Sequence, residues 1–438
     1  MVRIENIMEC FITDIYIKNL RHLKNIHINM DSQKRQHLMI TGKNGSGKTS
    51  LLQAISKKID YAPAMYRRLL AYQNAVMKMN KDHKYEVVNP ETVENMEFGG
   101  KSDISLEYRE EPWIGVESEL SRGIQIFFNL SRDEKELSRT IAKEMKNGNF
   151  IIAFFEAGRV MEMEMPDGAE KVIPNRFYGI SDSPEKLFLK YMVHLKTQQA
   201  YARNENDQET VEAIQNWFEN LQRALKVLLD DESVQLKYDY KEYNFQILEQ
   251  GRQPIGFDQL SDGYASVIQM VTNLIMRMEH RDDQKMPLFH YDVQGIVLID
   301  EIETHLHIEL QKKILPFLTE FFPRIQFIVT THSPYILNSI SNSAVYDLEN
   351  KIKVEDLSGY SAEGIVEGYF ENDLYSDQAK LKLKRYRELL GKEKLSASER
   401  AERARLRDEL QNIPAELAKE MKDAFEELEA ERKLKIHD

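Results

Sequence analysis

The stretch Gly42-Lys-Asn-Gly-Ser-Gly-Lys-Thr49 decides the fold of this chain. It matches the pattern G-x-x-x-x-G-K-[ST] of a phosphate-binding loop, in which glycines let backbone N–H groups turn toward phosphate oxygens. The run His37–Thr41 before the loop predicts a buried strand, and the run Thr49–Ile55 after it predicts the start of a helix. This strand–loop–helix context is the one that the motif requires.

Two side chains of the loop carry most of its chemistry. Lys48 is expected to reach the β- and γ-phosphates of a nucleotide, and the Thr49 hydroxyl is expected to ligate Mg²⁺. The N-terminus of the following helix adds its positive dipole end. The predicted phosphate-binding residues are Asn44, Gly45, Ser46, Gly47, Lys48, Thr49 and Ser50.

Composition places the chain among ordinary soluble proteins. Its 438 residues are 42% hydrophobic and 30% charged, a length that corresponds to about two to three domains. We expect no transmembrane helix, because no apolar run reaches about 18 residues. The first ten residues lack the apolar region of a signal peptide. A cytoplasmic protein with no membrane partner is therefore expected.

Cysteine content and charge exclude further classes. Cys10 is the only cysteine, which excludes internal disulfides and cysteine-based zinc sites. The formal net charge of −13 argues against a general nucleic-acid coat and leaves a local basic groove open.

The pattern along the chain predicts a mixed α/β protein. Alternating or continuous apolar runs predict strands at Phe11–Ile17, His22–Met30, Ile104–Arg109, Gly123–Leu130, Phe150–Phe155 and within 233–249. Two helices are predicted near 184–203 and 208–230.

Two further strands are predicted to deliver polar groups at their ends. The run Gly295–Ile299 is followed by Asp300 and Glu301, and the run Ile325–Val329 leads to His332. Ligand sites in open α/β sheets lie at the carboxyl ends of the strands. We expect Asp300 to hold Mg²⁺ through water and Glu301 to act as general base toward the attacking water.

The segment Leu260-Ser-Asp-Gly263 precedes an apolar helical run. The chain order of phosphate loop, this segment, the Asp300–Glu301 pair and His332 resembles ABC-type ATPases of the Rad50/SMC and OLD branch, in a short form. The resemblance implies that Ser261 and Gly263 bind the γ-phosphate of ATP held by the opposite subunit. It also implies that His332 occupies the switch-histidine position, where it contacts the γ-phosphate.

The implied fold is an ABC-type P-loop ATPase head. It would have a mixed β-sheet core, an antiparallel β subdomain and a helical signature lobe at about 184–275. We expect the ATPase domain to cover 1–375 and a charged helical extension to cover 376–438. Helix Lys382–Leu390 is predicted to end at Gly391, and Ser396–Glu399 forms a capping box. The extension is either a hairpin that packs on the core or a docking or oligomerisation element for a partner.

Five pieces are similar to the ATPase subunits of bacterial antiphage systems, above all to the PtuA-type ATPases of Septu and some retron systems. These pieces are Leu260–Tyr264, Val297–Ile302, His305–His307, Phe327–Pro334 and Tyr360–Val366. The resemblance implies ATP and Mg²⁺ as cofactors and a head-to-tail homodimer, or a higher oligomer such as a hexamer. It also implies an HNH-type nuclease as partner, with DNA or a phage component as a further partner.

Three other functions stay open. The chain could be a PARIS-type ATPase that holds a Toprim nuclease, a Rad50-like ATPase that clamps DNA, or a non-hydrolysing scaffold that uses ATP as structural glue. Long coiled-coil arms are not expected, because the segment between Lys48 and Ser261 lacks sustained heptads. The stretch after Phe370 is too short for a Toprim domain, so we expect no nuclease activity in this chain.

Three positions depart from the pattern or remain ambiguous. No Q-loop glutamine is evident near Glu156–Arg159, and Arg159 is either a phosphate or interface arginine or a salt-bridged strand end. Ile308 stands where the family usually has proline. A metal site at His305 and His307 is disfavoured, because no third and fourth ligand lies nearby.

Overall fold

The computed structural model describes residues 9–60, 123–130, 134–279, 291, 293–368, 377–392, 395–411, 422, 425–430 and 432. The predicted strand Ile104–Arg109 lies outside these ranges. The described chain divides into two compact units, Met1–Gly359 and Tyr360–Asp438. The boundary expected at 375/376 therefore falls inside the second unit, and the proposed domain assignment remains a prediction.

The elements follow in chain order. The strands are β1 (Ile12–Leu20), β2 (Leu23–Asn29), β3 (His37–Thr41), β4 (Ile124–Phe128), β5 (Phe150–Phe155), β6 (Gln235–Asp239), β7 (Asn244–Leu248), β8 (Ile255–Gly256), β9 (Gln294–Ile299), β10 (Ile325–Thr330), β11 (Ser343–Asp347) and β12 (Ile352–Glu355). The helices are α1 (48–60), α2 (Glu134–Lys146), α3 (Phe188–Asn204), α4 (Gln208–Leu229), α5 (Asp262–Met278), α6 (Ile308–Phe321), α7 (Pro334–Leu337), α8 (Ala362–Gly368), α9 (Asp377–Leu390) and α10 (Ala397–Gln411).

A six-stranded sheet forms the centre of the first unit, in the order β12-β11-β3-β10-β9-β5. Every neighbouring pair is parallel except β11 and β12, which are antiparallel. Strands β3, β9 and β10 are buried along their whole length, which is why they read as continuous apolar runs rather than alternating ones. This arrangement confirms the predicted mixed α/β core.

The predicted antiparallel β subdomain is also present. Strands β2, β1 and β4 form one antiparallel sheet, and β6, β7 and β8 form another. The inward face of β1 joins α1 and the central strands in one hydrophobic cluster, which includes Ile15, Ile17, Leu51, Ile55 and Ile328. The helix that follows the phosphate loop is thus held by apolar contacts with both sheets.

The helical lobe confirms the two helices predicted from the sequence. A 3-10 turn, Pro184–Leu187, precedes α3. Asp207 caps the N-terminus of α4, and its side chain accepts a hydrogen bond from Thr210 N. Trp217 is fully buried among Phe188, Tyr191 and Phe218. Aromatic packing of this kind fixes the angle between α3 and α4.

Helix α5 is buried nearly all round and carries polar side chains inside the protein. Gln269 and Asn273 donate to the buried carboxylate of Glu185 at 3.2 and 2.5 Å. Arg277 donates to the carbonyls of Ile152 and Gly179 at 2.9 and 2.8 Å. Because a buried polar group needs a partner, these bonds specify one position of α5 against β5.

Two glutamines join the antiparallel sheet to the central one. Gln326 on β10 is fully buried; its Oε1 accepts from Ile12 N at 2.8 Å and its Nε2 donates to Ile12 O at 2.9 Å. The same Nε2 donates to Gln36 O at 2.8 Å. On the neighbouring strand, Gln294 Oε1 accepts from Cys10 N at 2.9 Å. The glutamine amides thus continue the backbone pairing between two separate sheets.

The second unit has a hydrophobic cluster of its own. Its buried members are Tyr386, Leu389, Leu406, Leu410, Phe425 and Leu428. The predicted capping box forms, since Ser396 Oγ accepts from Glu399 N at 3.2 Å and Glu399 accepts from Ser396 N at 2.9 Å. Arg385 bridges α9 to Glu402 on α10. Among the described residues, no helix is long and apolar enough to cross a bilayer.

Replacing Gln326 should weaken the joint between the two sheets. Gln326→Leu leaves Ile12 N, Ile12 O and Gln36 O without their amide partner. We expect the free energy of unfolding to fall by about 3 kcal/mol, because each buried unpaired group costs roughly 1–3 kcal/mol. Urea unfolding followed by fluorescence measures this. The exposed Gln253 provides the control: Gln253→Leu should change stability by less than about 0.5 kcal/mol.

The buried imidazole of His37 predicts a pH dependence of stability. Burial lowers the pKa of His37 to about 4, with a smaller contribution from Arg35, and His37 Nδ1 accepts from Phe327 N at 3.1 Å. The unfolded chain takes up the proton near pH 6.5 and the folded chain only near pH 4. Stability is therefore lost as the pH falls from about 6.5 to 4, by up to about 3 kcal/mol.

The variant His37→Asn tests this dependence, because Asn keeps an acceptor near the position of Nδ1 without titrating. The difference in unfolding free energy between pH 7 and pH 4.5 should be smaller in the variant than in the wild type. Equal differences in the two proteins would contradict the assignment.

Candidate nucleotide site

The predicted polar clusters meet at one edge of the central sheet. Strand β10 pairs with β3 on one side and β9 on the other, and all three run in the same direction. The loop after β3, the Asp300–Glu301 pair after β9 and His332 after β10 therefore emerge side by side. Parallel pairing of the strands therefore brings the phosphate loop next to residues that lie more than 250 positions later in the sequence.

The phosphate loop has the backbone that its glycines predict. Gly42, Gly45 and Gly47 have φ values of +135°, +84° and +99°, which side-chain-bearing residues rarely adopt. Lys48 is 5% exposed, and its ammonium donates to Gly42 O at 2.7 Å and to Lys43 O at 3.1 Å. The backbone carbonyls of the phosphate loop thus hold the ammonium of Lys48.

The electrostatics of the loop favour a bound polyphosphate. Burial lowers the pKa of Lys48, and the carboxylates of Glu301, Glu303, Asp300 and Asp347 act in the opposite direction. The buried Ser46 Oγ has no hydrogen-bond partner within the described part of the chain. A buried polar atom without a partner is costly, so a phosphate oxygen at this position would satisfy it.

The residues predicted to hold Mg²⁺ suit that ion. Asp300 follows β9 at the sheet edge from which the phosphate loop leaves β3, and Thr49, which follows that loop, is an exposed residue. Carboxylate and hydroxyl oxygens are hard ligands of the type Mg²⁺ prefers, together with phosphate oxygens and water. Among the described residues, no group of three or more His, Cys, Asp or Glu side chains is arranged to hold a metal ion.

Thr330 orders the acidic pair. Its hydroxyl donates to Asp300 Oδ1 at 2.6 Å and accepts from Glu301 N at 2.7 Å. Glu301 has φ +44°, in the left-handed region, where non-glycine residues at functional sites store strain. The hydroxyl of the neighbouring strand thus holds both the carboxylate of Asp300 and the backbone of Glu301.

Glu303 links the acidic loop to His332. One carboxylate oxygen of Glu303 accepts from His332 N at 2.5 Å, and the other is buried without a partner in the described chain. The ring atom His332 Nε2 is likewise buried and without a partner there. Burial and the positive charge of Lys48 lower the pKa of His332. The imidazole is therefore neutral near pH 7 and has a ring nitrogen free for a ligand.

The segment at Leu260–Gly263 lies at the start of α5. Ser261 is exposed and makes no capping hydrogen bond with its side chain. Gly263 is packed so closely that an added Cβ would lie 2.7 Å from the carbonyl oxygen of His305. The ring of Tyr264 meets that of His307 edge-on, with 5.8 Å between centroids. The signature segment and the loop 303–307 of the same chain are thus in direct contact.

The structure shows where two of the ambiguous positions, Arg159 and Ile308, lie. Arg159 is buried and donates to four backbone carbonyls and to Ser266 Oγ, so its hydrogen bonds within the described residues include no carboxylate. Ile308 is the first residue of α6. Proline is favoured there but not required, because the first N–H of a helix has no intrahelical partner.

Sequence reasoning missed Thr330 and Glu303. Thr330 could have been found, because it is the polar residue that ends the apolar run beside the Asp300 strand. Glu303 had no such signal, since its contact with His332 N depends on the turn after β9. His22 was also missed; its Nε2 lies 3.0 Å from Ser46 O across the turn between β1 and β2.

The relatives found by sequence comparison belong to the same systems that the motifs resemble. The chain is 26% identical to the Septu protein PtuA of Bacillus mycoides (strain KBAB4) over 424 residues, which cover 93% of this chain and 50% of that protein. It is 36% identical to the retron Ec83 probable ATPase of Escherichia coli over 117 residues, which cover 26% of this chain and 21% of that protein. The resemblance inferred from the motifs is confirmed, and the chain spans about half the length of PtuA.

Solved structures and a family model complete the comparison. The SMC head domain from Thermotoga maritima is 15% identical, covers 77% of this chain and 94% of its own, and superposes with a TM-score of 0.33. The model of the AAA ATPase domain matches residues 11–337 of the 438. The chain therefore belongs to the AAA ATPase domain family.

Proposed function

We propose that this chain hydrolyses ATP in a head-to-tail dimer and that its nucleotide state controls a partner nuclease in an antiphage system. One observation carries the proposal. The phosphate loop, Asp300, Glu301 and His332 converge at one edge of the sheet, while Ser261 at the start of α5 is exposed. Because Ser261 is exposed and makes no capping hydrogen bond with its side chain, it is available to a nucleotide that a second copy holds.

Each group has a role in this proposal. The loop amides and Lys48 bind the β- and γ-phosphates, and Glu301 accepts a proton from the attacking water. Thr49 and Asp300 would hold Mg²⁺, which neutralises charge on the phosphates. Neutral His332 donates a hydrogen bond from its ring to the γ-phosphate, where negative charge must be stabilised. Ser261 and the first N–H groups of α5 complete the site of the opposite copy.

The nuclease partner rests on the relatives rather than on geometry. PtuA is named as a Septu protein and the retron relative as a probable ATPase, and the resemblance implies an HNH-type nuclease beside such ATPases. In this proposal the chain itself is an ATPase and not a nuclease. ATP binding shifts the population of closed dimers or higher oligomers, and the nuclease responds to that shift.

The base assignment predicts a trapped dimer. Glu301→Gln keeps the size of the side chain and removes its ability to accept a proton, so ATP turnover should fall by about 100-fold or more. Nucleotide binding should persist, and ATP should then stabilise a dimer. Phosphate release and light scattering with and without ATP measure these effects. The exposed Glu232, whose side chain is 93% accessible, provides the control variant Glu232→Gln.

Several outcomes would contradict the proposal. Turnover of Glu301→Gln at the wild-type rate would exclude Glu301 as the base. Absence of ATP binding by the wild type would exclude the site as a whole. Co-expression with the neighbouring gene product tests the partner. A stable complex with a nuclease supports control, whereas a lone dimer that hydrolyses ATP faster on DNA would favour a DNA clamp.

Gly263 gives a second prediction. Gly263→Ala places a methyl group against the His305 carbonyl, so the loop 303–307 or the start of α5 must shift. A displacement of about 1 Å in a catalytic arrangement costs about 10- to 100-fold in rate. We expect that loss in turnover, with ATP affinity unchanged within about threefold because the phosphate loop is untouched. Gly168, whose added Cβ would meet nothing within 4 Å, provides the control Gly168→Ala.

A further inference from the structure

Arg159 lies between the acidic loop and the signature helix, where it is 7% exposed. Its Nε donates to Ser266 Oγ at 2.7 Å. One terminal nitrogen donates to Glu156 O at 3.2 Å and Asp300 O at 3.0 Å. The other donates to Glu301 O at 3.3 Å and Ile302 O at 3.0 Å. All five N–H groups of the guanidinium are therefore used.

These acceptors belong to three different parts of the fold. Glu156 follows β5, the carbonyls of 300–302 follow β9, and Ser266 lies on the second turn of α5. A planar guanidinium holds its five donors in a fixed geometry. A displacement of α5 therefore must either stretch the bond to Ser266 or move the three consecutive carbonyls.

The segment 300–302, to whose carbonyls Arg159 donates, has an unusual backbone conformation. Glu301 has φ +44°; Thr330 Oγ1 accepts from its backbone N–H, and Arg159 donates to its backbone carbonyl. Residues in such conformations persist only where their surroundings over-determine them. Removal of the guanidinium would leave this turn with the hydrogen bond from Thr330 Oγ1 to Glu301 N and the bond from Thr304 N to Glu301 O at 2.9 Å.

Electrostatics give Arg159 a second effect on the same loop. Burial lowers the pKa of Arg159 to about 10, and the carboxylates of Glu303, Asp300 and Glu301 oppose that shift. The guanidinium thus stays protonated at neutral pH. Its charge offsets the mutual repulsion of three carboxylates gathered at one edge of the sheet.

We propose that Arg159 is a positioning residue that couples the signature helix to the acidic loop. Through Ser266 and the carbonyls of 300–302, it makes the orientation of Glu301 depend on the position of α5. A γ-phosphate bound at the exposed end of α5 would then set the water-activating carboxylate of the same chain. This coupling rests on the proposed ATPase function, whereas the contacts that transmit it are present in the free chain.

Two variants remove the coupling to different degrees. Arg159→Lys keeps the charge but has one nitrogen in place of three. Ser266→Ala removes a single hydrogen bond and leaves the four bonds from Arg159 to carbonyls in place. We therefore expect Ser266→Ala to fold normally, and it tests the proposal even where Arg159→Lys fails to fold. Arg252, whose side chain is 75% exposed, provides the matched control Arg252→Lys.

The first readout needs no nucleotide. Hydrogen–deuterium exchange of the free protein should be about threefold or more faster for peptides that cover 296–306 in Arg159→Lys, and also faster in Ser266→Ala. Exchange in β3 should be unchanged. Wild-type exchange rates in both variants would overturn the coupling, whatever the enzyme does with ATP.

The second readout separates positioning from binding. In Ser266→Ala and Arg159→Lys we expect kcat to fall by about 10-fold or more, with KM for ATP within about threefold of the wild type. The double variant should be no slower than Arg159→Lys alone, because both act through one contact. A rise in KM without a fall in kcat would instead make Arg159 a nucleotide-binding residue and overturn the proposal.

The same experiment keeps the two proposals apart. If the wild type and Glu301→Gln release phosphate equally slowly, the proposed ATPase function fails, and the exchange data still decide whether Arg159 holds the acidic loop. If the wild type hydrolyses ATP and neither variant alters kcat, the coupling fails while the ATPase function stands.

Discussion

Parallel hydrogen bonding between β3, β10 and β9 is the constraint on which the rest of the structure depends. The strands are buried along their whole length, so their backbone groups depend on neighbouring strands and a few side chains for hydrogen bonds. Once they pair in parallel, the phosphate loop, the acidic pair and His332 must leave the sheet at the same edge. The threonine at the end of β10 then lies beside Asp300, and one hydroxyl can order two residues of the next loop.

Buried polar contacts determine how the helical lobe sits on this sheet. Apolar packing of α5 would tolerate several rotations, because the helix is apolar on most of its circumference. The bonds from Gln269, Asn273 and Arg277 to fixed acceptors allow only one. The buried side chains of α5 therefore also determine where the exposed Ser261, at the start of this helix, is placed.

Much of this architecture could be predicted from the sequence, and the rest could not for identifiable reasons. The strand ends at Asp300 and His332 were found because continuous apolar runs mark buried parallel strands. The relation between Gly263 and His305 was not found, because it depends on how closely two loops approach, and no local pattern encodes that distance. Arg159 was recognised as notable, but its partners are mostly backbone carbonyls, which carry no sequence signature.

The sequence by itself determined the element types, the phosphate loop and the side chains available at each strand end. Short-range physics suffices there: glycine permits positive φ, and apolar periodicity separates strand from helix. Only the tertiary structure decided which of these groups meet, that Thr330 and Glu303 order the acidic loop, and that Arg159 joins this loop to α5. These contacts arise between residues far apart in the chain, and their geometry follows from the order of strands in the sheet and from the need to satisfy buried polar groups.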